Sequence, residues 1–327
     1  MGIQEKIVER AKELLADGTV VGVWGWKEGE LPGDRVPTLF TIPEELDADF
    51  VYDCFCAANV SRYLNGRKAS DGKVLALLKP CDTYSLNQML GENRLERESV
   101  YALGIPTGDM VDPVKMRKAG IRGLKSAKQR GKEFVFDTAS GEKVIPRDEV
   151  ALEKCLSCKS NTHKIYDELL VTIKDTGESP TRFAEVENLE SMTPEERFAF
   201  WQGELARCIR CNACRNICPV CSCVKCVFDN PASSFQNKAV SETFEEKMFH
   251  IVRAFHVAGR CTDCGECSRA CPQGIPLHLL NRKFIKDINR VYGDFQSGEK
   301  ADGESPLTSY TVDDAEPGEV FGFGGSN

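Results

Sequence analysis

Cys208, Cys211, Cys214 and Cys218, followed by Pro219, read C-x2-C-x2-C-x3-C-P, and Cys261, Cys264, Cys267 and Cys271 before Pro272 repeat that spacing without error. Three thiolates three residues apart wrap one face of a 4Fe-4S cubane, and a fourth, redirected by its proline, reaches the other cluster where a chain carries two. The rule assigns Cys208, Cys211, Cys214 and Cys271 to cluster one, and Cys218, Cys261, Cys264 and Cys267 to cluster two. Structural zinc usually takes two separated C-x2-C pairs in a tetrahedron; the triple spacing and the proline both speak for iron and sulfide. Thiols that merely fill a core would not fall into two identical runs. The chemistry expected of these residues is one-electron transfer.

Half of the sixteen cysteines lie outside these runs. Cys155 and Cys158 form a metal-type C-x2-C pair. Cys81 sits in a Lys-Pro-Cys-Asp turn directly after the apolar run Lys73 to Leu78, and in an open α/β sheet sites gather beyond the carboxyl ends of strands. For Cys54 and Cys56, simple packing competes with ligation, because free cysteine is often buried. Cys221, Cys223 and Cys226 follow Pro219 at once; a further cluster, redox-active thiols and packing around cluster two are all compatible with their spacing. Sixteen cysteines are enough for a fourth cubane.

The elements that must position these thiols fall into two grammars. Ile3, Ile7, Leu14 and Leu15 share a helical face, with Gly18 as a stop. Val20 to Val23 and Lys73 to Leu78 are short apolar runs suited to buried strands, and Glu133 to Val144 alternates about a Ser-Gly turn like a hairpin. Near Thr193 the pattern changes: Thr193, Pro194 and Glu196 supply an N-cap, a first-turn proline and a capping-box glutamate. Phe198, Trp201 and Leu205 then lead at helical spacing to Cys208. Phe244, Met248, Ile251, Val252 and Phe255 mark an amphipathic helix between the runs, and Leu277, Leu280, Phe284, Ile288 and Val291 mark another after them. The expected fold is an α/β N-terminal domain over 1–190, a mainly α-helical two-cluster domain over 191–293, and an extended acidic tail over 294–327.

A net charge of −8 argues against nucleic acid as a partner. Residues 1–17 mix Glu, Lys and Arg without a signal-peptide core, and the longest apolar runs are too short to span a bilayer. A soluble, cytoplasmic protein is expected, in a reducing compartment where close thiols hold metal rather than disulfides. Between Pro113 and Lys132 eight Lys or Arg residues stand without an acidic one; this island reads either as a dock for an acidic partner or phosphate-bearing cofactor, or as a solvated loop. His163, His250, His256 and His278 make no metal pattern, and no nucleophile triad, Walker loop or G-x-G-x-x-G fingerprint stands out.

The segment from His256 to Pro276, HVAGRCTDCGECSRACPQGIP, and the long gap between the cysteine runs resemble the α-helical ferredoxin domain of succinate dehydrogenase iron-sulfur subunits and heterodisulfide reductase C-type subunits. LALLKPCD, YALGIP and CLSCKSNTHKIYDELL in the first half resemble the beta subunits of deazaflavin-dependent hydrogenases and formate dehydrogenases. That resemblance implies a flavin, FAD, and a third 4Fe-4S cluster on Cys81, Cys155 and Cys158, with Cys54 or Cys56 as its fourth ligand. It implies an oxidoreductase subunit in a hetero-oligomer of anaerobic metabolism. The expected partners are a heterodisulfide-reductase-A-like flavoprotein and a formate dehydrogenase or hydrogenase catalytic subunit. The family's glycine-containing flavin motif is not evident, and Gly104-Ile105-Pro106 stands where its Gly-Leu-x-Cys would; the alternative is an adaptor without flavin that wires two redox enzymes together.

Overall fold

The computed structural model describes residues 2–230, 243–309 and 311–322, with side chains described in all of these except 243–246. The expectations placed on Phe244 and on residues 310 and 323–327 of the tail lie outside the described residues. The chain divides into two compact units, Met1–Arg182 and Phe183–Asn327.

In the first unit, the strands β1 (Val23–Glu28), β2 (Arg35–Phe40), β3 (Val74–Leu78), β4 (Val100–Gly104) and β8 (Glu168–Leu169) form one sheet in the order β2-β1-β3-β4-β8. Only the β1/β2 pair is antiparallel; the others run parallel. Every residue of β3 is buried, as a central parallel strand covered on both faces requires. Its side chains alternate: Leu75 and Leu77 join the core with Ile7, Ala11 and Leu14 of α1 (Ile3–Ala16), while Val74, Ala76 and Leu78 join Leu86 and Met89 of α3 (Pro80–Gly91). Helix α2 (Pro43–Asp49) adds Leu46 to the first of these cores. Past Asp17, which ends α1, Gly18 takes φ +73°, a left-handed conformation that costs glycine least.

The basic island is ordered structure, not a loop. Asp112 caps α4 (Pro113–Lys118), accepting from the Val114 and Lys115 backbone N–H groups at 2.7 and 3.3 Å. Strand β5 (Leu124–Arg130) then pairs antiparallel with β6 (Glu133–Thr138), which pairs with β7 (Gly141–Pro146). Phe134 and Phe136 of β6, with Val111, Met116 and Ile121, give this small sheet its own core. Two short helices, α5 (Arg147–Val150) and α6 (Glu153–Leu156), follow.

At the carboxyl end of β3 the chain buries an ion pair. Lys79 and Asp82 meet at 2.8 Å with side chains 1% and 0% exposed, and Lys79 also donates to the Ala58 carbonyl at 2.8 Å and lies 4.3 Å from the Trp26 ring centre. Removing one member of such a pair strands the other charge in the core. Lys79→Met is therefore expected to destabilise the unit by about 3–5 kcal/mol, read as a lower urea midpoint for the fluorescence of Trp24 and Trp26. A midpoint equal to that of the native chain would contradict this.

The second unit contains α7 (Ala184–Ser191), α8 (Pro194–Ala206), α9 (Ala213–Asn216), α10 (Thr243–His256), α11 (Glu266–Arg269), α12 (His278–Tyr292) and α13 (Pro317–Val320). The capping box expected at Thr193 forms: its side chain accepts from the Glu196 N–H at 3.2 Å while Glu196 accepts from the Thr193 N–H at 2.9 Å. The start of the tail is tied down, with Ser297 buried and donating to the Gly259 carbonyl at 2.8 Å.

Candidate metal centres

The two cysteine runs fold alike. In each, the residues flanking the second cysteine take positive φ: Arg210 and Asn212 at 56° and 60°, Asp263 and Gly265 at 51° and 67°. Each then enters a one-turn helix, α9 or α11, that carries the third cysteine, Cys214 or Cys267. Alternating left- and right-handed backbone of this kind turns successive N–H groups toward one side, a concavity suited to an anion. Identical spacing has produced identical backbone twists.

One cavity, with about 320 Å³ free of protein atoms, is lined by Cys208, Cys211 and Cys214 from the first run and by Cys271 from the second. His250, 1% exposed, places Nε2 3.3 Å from Cys208 Sγ. Burial, helped by Arg253 and Arg210, pushes the His250 imidazole down to about 3, so the ring is neutral at ordinary pH and in its Nε2–H form donates to the sulfur. A second cavity, about 360 Å³, is lined by Cys261, Cys264 and Cys267 from the second run and by Cys218 from the first. Asn281 of α12 also lines it, with Nδ2 3.8 Å from Cys267 Sγ. Arg282, one turn from His278 on the same helix, pairs at 3.0 Å with Asp263, both side chains almost wholly buried, and so braces the strained loop between Cys261 and Cys264.

The thiols respond to these surroundings. Burial pushes Cys267 up to about 12 and carries Cys261 well above its ordinary value; Cys214 rises for the same reason. Metal ligation requires the thiolate, so these sites demand a cationic occupant to repay the deprotonation. Among the described residues no group of three or more His, Cys, Asp or Glu could hold a single metal ion; the sulfurs ring their cavities instead of converging on one point. The soft four-thiolate donor set, the enclosed space and the neighbouring polar atoms without protein partners, His250 Nδ1 and Asn281 Oδ1 among them, fit a polynuclear iron-sulfur group.

The remaining cysteines have contacts of their own in both units. Cys221 hydrogen-bonds Cys218, an interaction that lowers the Cys221 thiol and, with burial, raises that of Cys218. Cys226 packs against the core around Phe228 and Phe249, and Cys223 is exposed. In the first unit, Cys155 accepts from the Met110 N–H at 3.3 Å and Cys158 donates to the Ser160 carbonyl at 3.2 Å. Cys81, in the first turn of α3, is raised by burial and drawn back by Lys154, Lys79 and Lys159; Lys154 and Cys158 also act on Cys155. Cys54 and Cys56 turn to different cores. Cys54 packs with the small-sheet cluster and donates to the Ala127 carbonyl at 3.6 Å, whereas Cys56 lies fully buried against the main sheet and donates to the Val51 carbonyl at 3.4 Å. Burial pushes Cys54 up to about 12 and Cys56 higher still.

Residues 204–275 match the family model described as a 4Fe-4S dicluster domain. The chain is similar to the F420-dependent formate dehydrogenase subunit beta of Methanocaldococcus jannaschii, at 23% identity over 334 residues, 84% of this chain and 87% of that one. It is also similar to the F420-dependent formate dehydrogenase 1 subunit beta of Methanococcus maripaludis, at 23% identity over 356 residues and 90% of each chain. Among solved structures it is similar to a chain of the xenon-derivatised F420-reducing [NiFe] hydrogenase complex from Methanosarcina barkeri, with a TM-score of 0.42 and 12% identity, covering 63% of this chain and 89% of that one. These likenesses support iron-sulfur, electron-transport and oxidoreductase character. No helix among the described residues is long and apolar enough to cross a membrane.

Proposed function

We propose that this chain is the iron-sulfur electron-transfer subunit of a multi-subunit oxidoreductase, passing single electrons between a hydride-handling module and a protein partner. The observation that carries the reading is the pair of cysteine quartets, each made of three cysteines from one run and one from the other, around its own cavity. On this reading Cys208, Cys211, Cys214 and Cys271 hold one cluster and Cys218, Cys261, Cys264 and Cys267 the other, in a mainly helical domain. When bound, each cluster supplies one-electron chemistry. The fold supplies the thiolates, the N–H and imidazole donors around them, and exclusion of water.

The hydride-handling partner in this proposal is a formate dehydrogenase catalytic subunit, since the relatives covering most of the chain are named as beta subunits of F420-dependent formate dehydrogenases. A heterodisulfide-reductase-like flavoprotein is the proposed protein partner on the other side. In the first unit, Lys154 and Lys159 act on Cys81 alongside the buried Lys79–Asp82 pair beyond the end of β3, surroundings that suit an anionic cofactor such as a flavin's pyrophosphate or a third cluster. That observation favours a cofactor-bearing first unit over an adaptor.

Anaerobically purified protein is expected to be brown and to contain about eight irons with matching acid-labile sulfide, or about twelve if Cys81, Cys155 and Cys158 hold a further cluster. Acid extraction of the same sample is expected to release flavin. Zinc in place of iron would overturn the reading; iron without flavin would leave the adaptor form of it.

A further inference from the structure

Helix α10 buries an arginine where an apolar residue would be expected. Arg253 is 1% exposed and ranks among the largest fully buried side chains of the protein. None of its Nε, Nη1 and Nη2 atoms has a hydrogen-bond partner in the protein. A guanidinium carries five donors and cannot shed its proton, so a wholly unpartnered one in a dry interior is among the costliest groups a fold can bury. The surroundings identify what relieves that cost. Arg253 is within electrostatic reach of Cys267, Cys214, Cys218 and Cys221, which favour its charge when they are thiolates, whereas burial opposes it. Cys214 lines the first cavity, and Cys218 and Cys267 line the second.

We propose that Arg253 is a shared counter-cation for both metal sites, its buried positive charge holding the reduction potentials of both clusters up. The inference rests on the reading that the two quartets hold 4Fe-4S clusters. A cubane with four thiolates is an anion whose negative charge grows by one on reduction, so a fixed neighbouring cation favours the reduced form. Because one group serves both sites, the two potentials move together. Arg253 is a positioning and tuning residue.

The test compares the full chain with Arg253→Met, Arg253→Lys and Lys300→Met, the last removing an exposed positive charge. Each is purified anaerobically, assayed for iron and sulfide, and titrated with dithionite at controlled potential while reduced clusters are followed by electron paramagnetic resonance. In Arg253→Met both potentials are expected to fall, the reduced-to-oxidised ratio at a fixed potential dropping about tenfold or more, which is about 59 mV for a one-electron couple. Arg253→Lys is expected to restore most of the shift, and Lys300→Met to leave both potentials in place. Full iron content in Arg253→Met with both potentials unmoved would overturn the proposal, as would an equal fall in Lys300→Met. Should Arg253→Met fail to hold iron, Arg253→Lys decides: two clusters near the native potentials support the counter-cation role, whereas loss of iron and helix signal in both variants assigns Arg253 to packing and overturns it. A native chain without iron would instead overturn the underlying reading.

Discussion

Cys271→Ala is expected to cost the protein the cluster of the first cysteine run and to leave that of the second intact. Iron should fall from about eight to about four per chain, although the replaced residue belongs to the second run. The reason is geometric: Cys271 lines the cavity of Cys208, Cys211 and Cys214, while Cys218 crosses the other way to join Cys261, Cys264 and Cys267. Double variants make the crossing visible, because substitutions acting on one site do not add whereas those on separate sites do. Cys271→Ala combined with Cys208→Ala should lose no more iron than Cys271→Ala alone. Cys271→Ala combined with Cys264→Ala should lose both clusters. If the first pair lost all the iron and the second only half, each run would be self-contained and the exchange of ligands would be refuted.

What could be read from the residues differed between the two halves of the problem. Ligand spacing is a covalent constraint, so the eight cysteines of the two runs were visible in one dimension, and the structure gathers them as two quartets. Strand β3 was equally plain, because five consecutive apolar residues leave few alternatives. The helices beside the cavities were found with the right period, but only part of the buried face was, Leu277 and Ile288 being buried and Val252 packed against the core. Between the runs, Ile251 and Phe255 are exposed, at 40% and 61%, and the buried positions of α10 among the described residues are Phe249, His250, Arg253 and Ala254. In α12 the buried face includes His278, Asn281 and Arg282 as well as Leu279, Ile285 and Ile288. Hydrophobic periodicity locates a core made of hydrocarbon; a face turned toward ionic sulfur is selected for donors, so it reads as surface. The available signal was the recurrence of His250 with Arg253, and of His278 with Asn281 and Arg282, at helical spacing near the cysteines. The basic island's order was missed for a related reason: its charges hide the apolar positions Met116 and Ile121 that pack into the small-sheet core.

Removing the metal is expected to unfold the second unit while the first stays folded. The main apolar core of the second unit is formed by Leu205, Phe228, Phe249, Ile275 and Leu277 packed directly against Cys208, Cys214, Cys226, Cys267 and Cys271. It is therefore a shell around the cavities. By contrast, the first unit has cores on both faces of a five-stranded sheet. Ordering each residue costs about 1–2 kcal/mol of backbone entropy, and a core with two open cavities at its centre recovers less of that cost than a filled one. The electrostatics act in the same direction. Without metal, the buried thiols Cys214, Cys261 and Cys267 are protonated, since burial raises each of them, and Arg253 then has no anion beside it. An uncompensated buried cation costs several kcal/mol, comparable with the whole stability of a domain of about 5–15 kcal/mol. Metal affinity here is folding free energy. Chelation of iron after mild oxidation should thus abolish the helical circular-dichroism signal of α8, α10 and α12 and open the segment from about Phe183 onward to limited proteolysis. A resistant fragment ending near Arg182 should remain, with the fluorescence of Trp24 and Trp26 unchanged. If the stripped protein keeps its full helix signal and gives the native cleavage pattern, the second unit is held by its own side chains and the metal only occupies it.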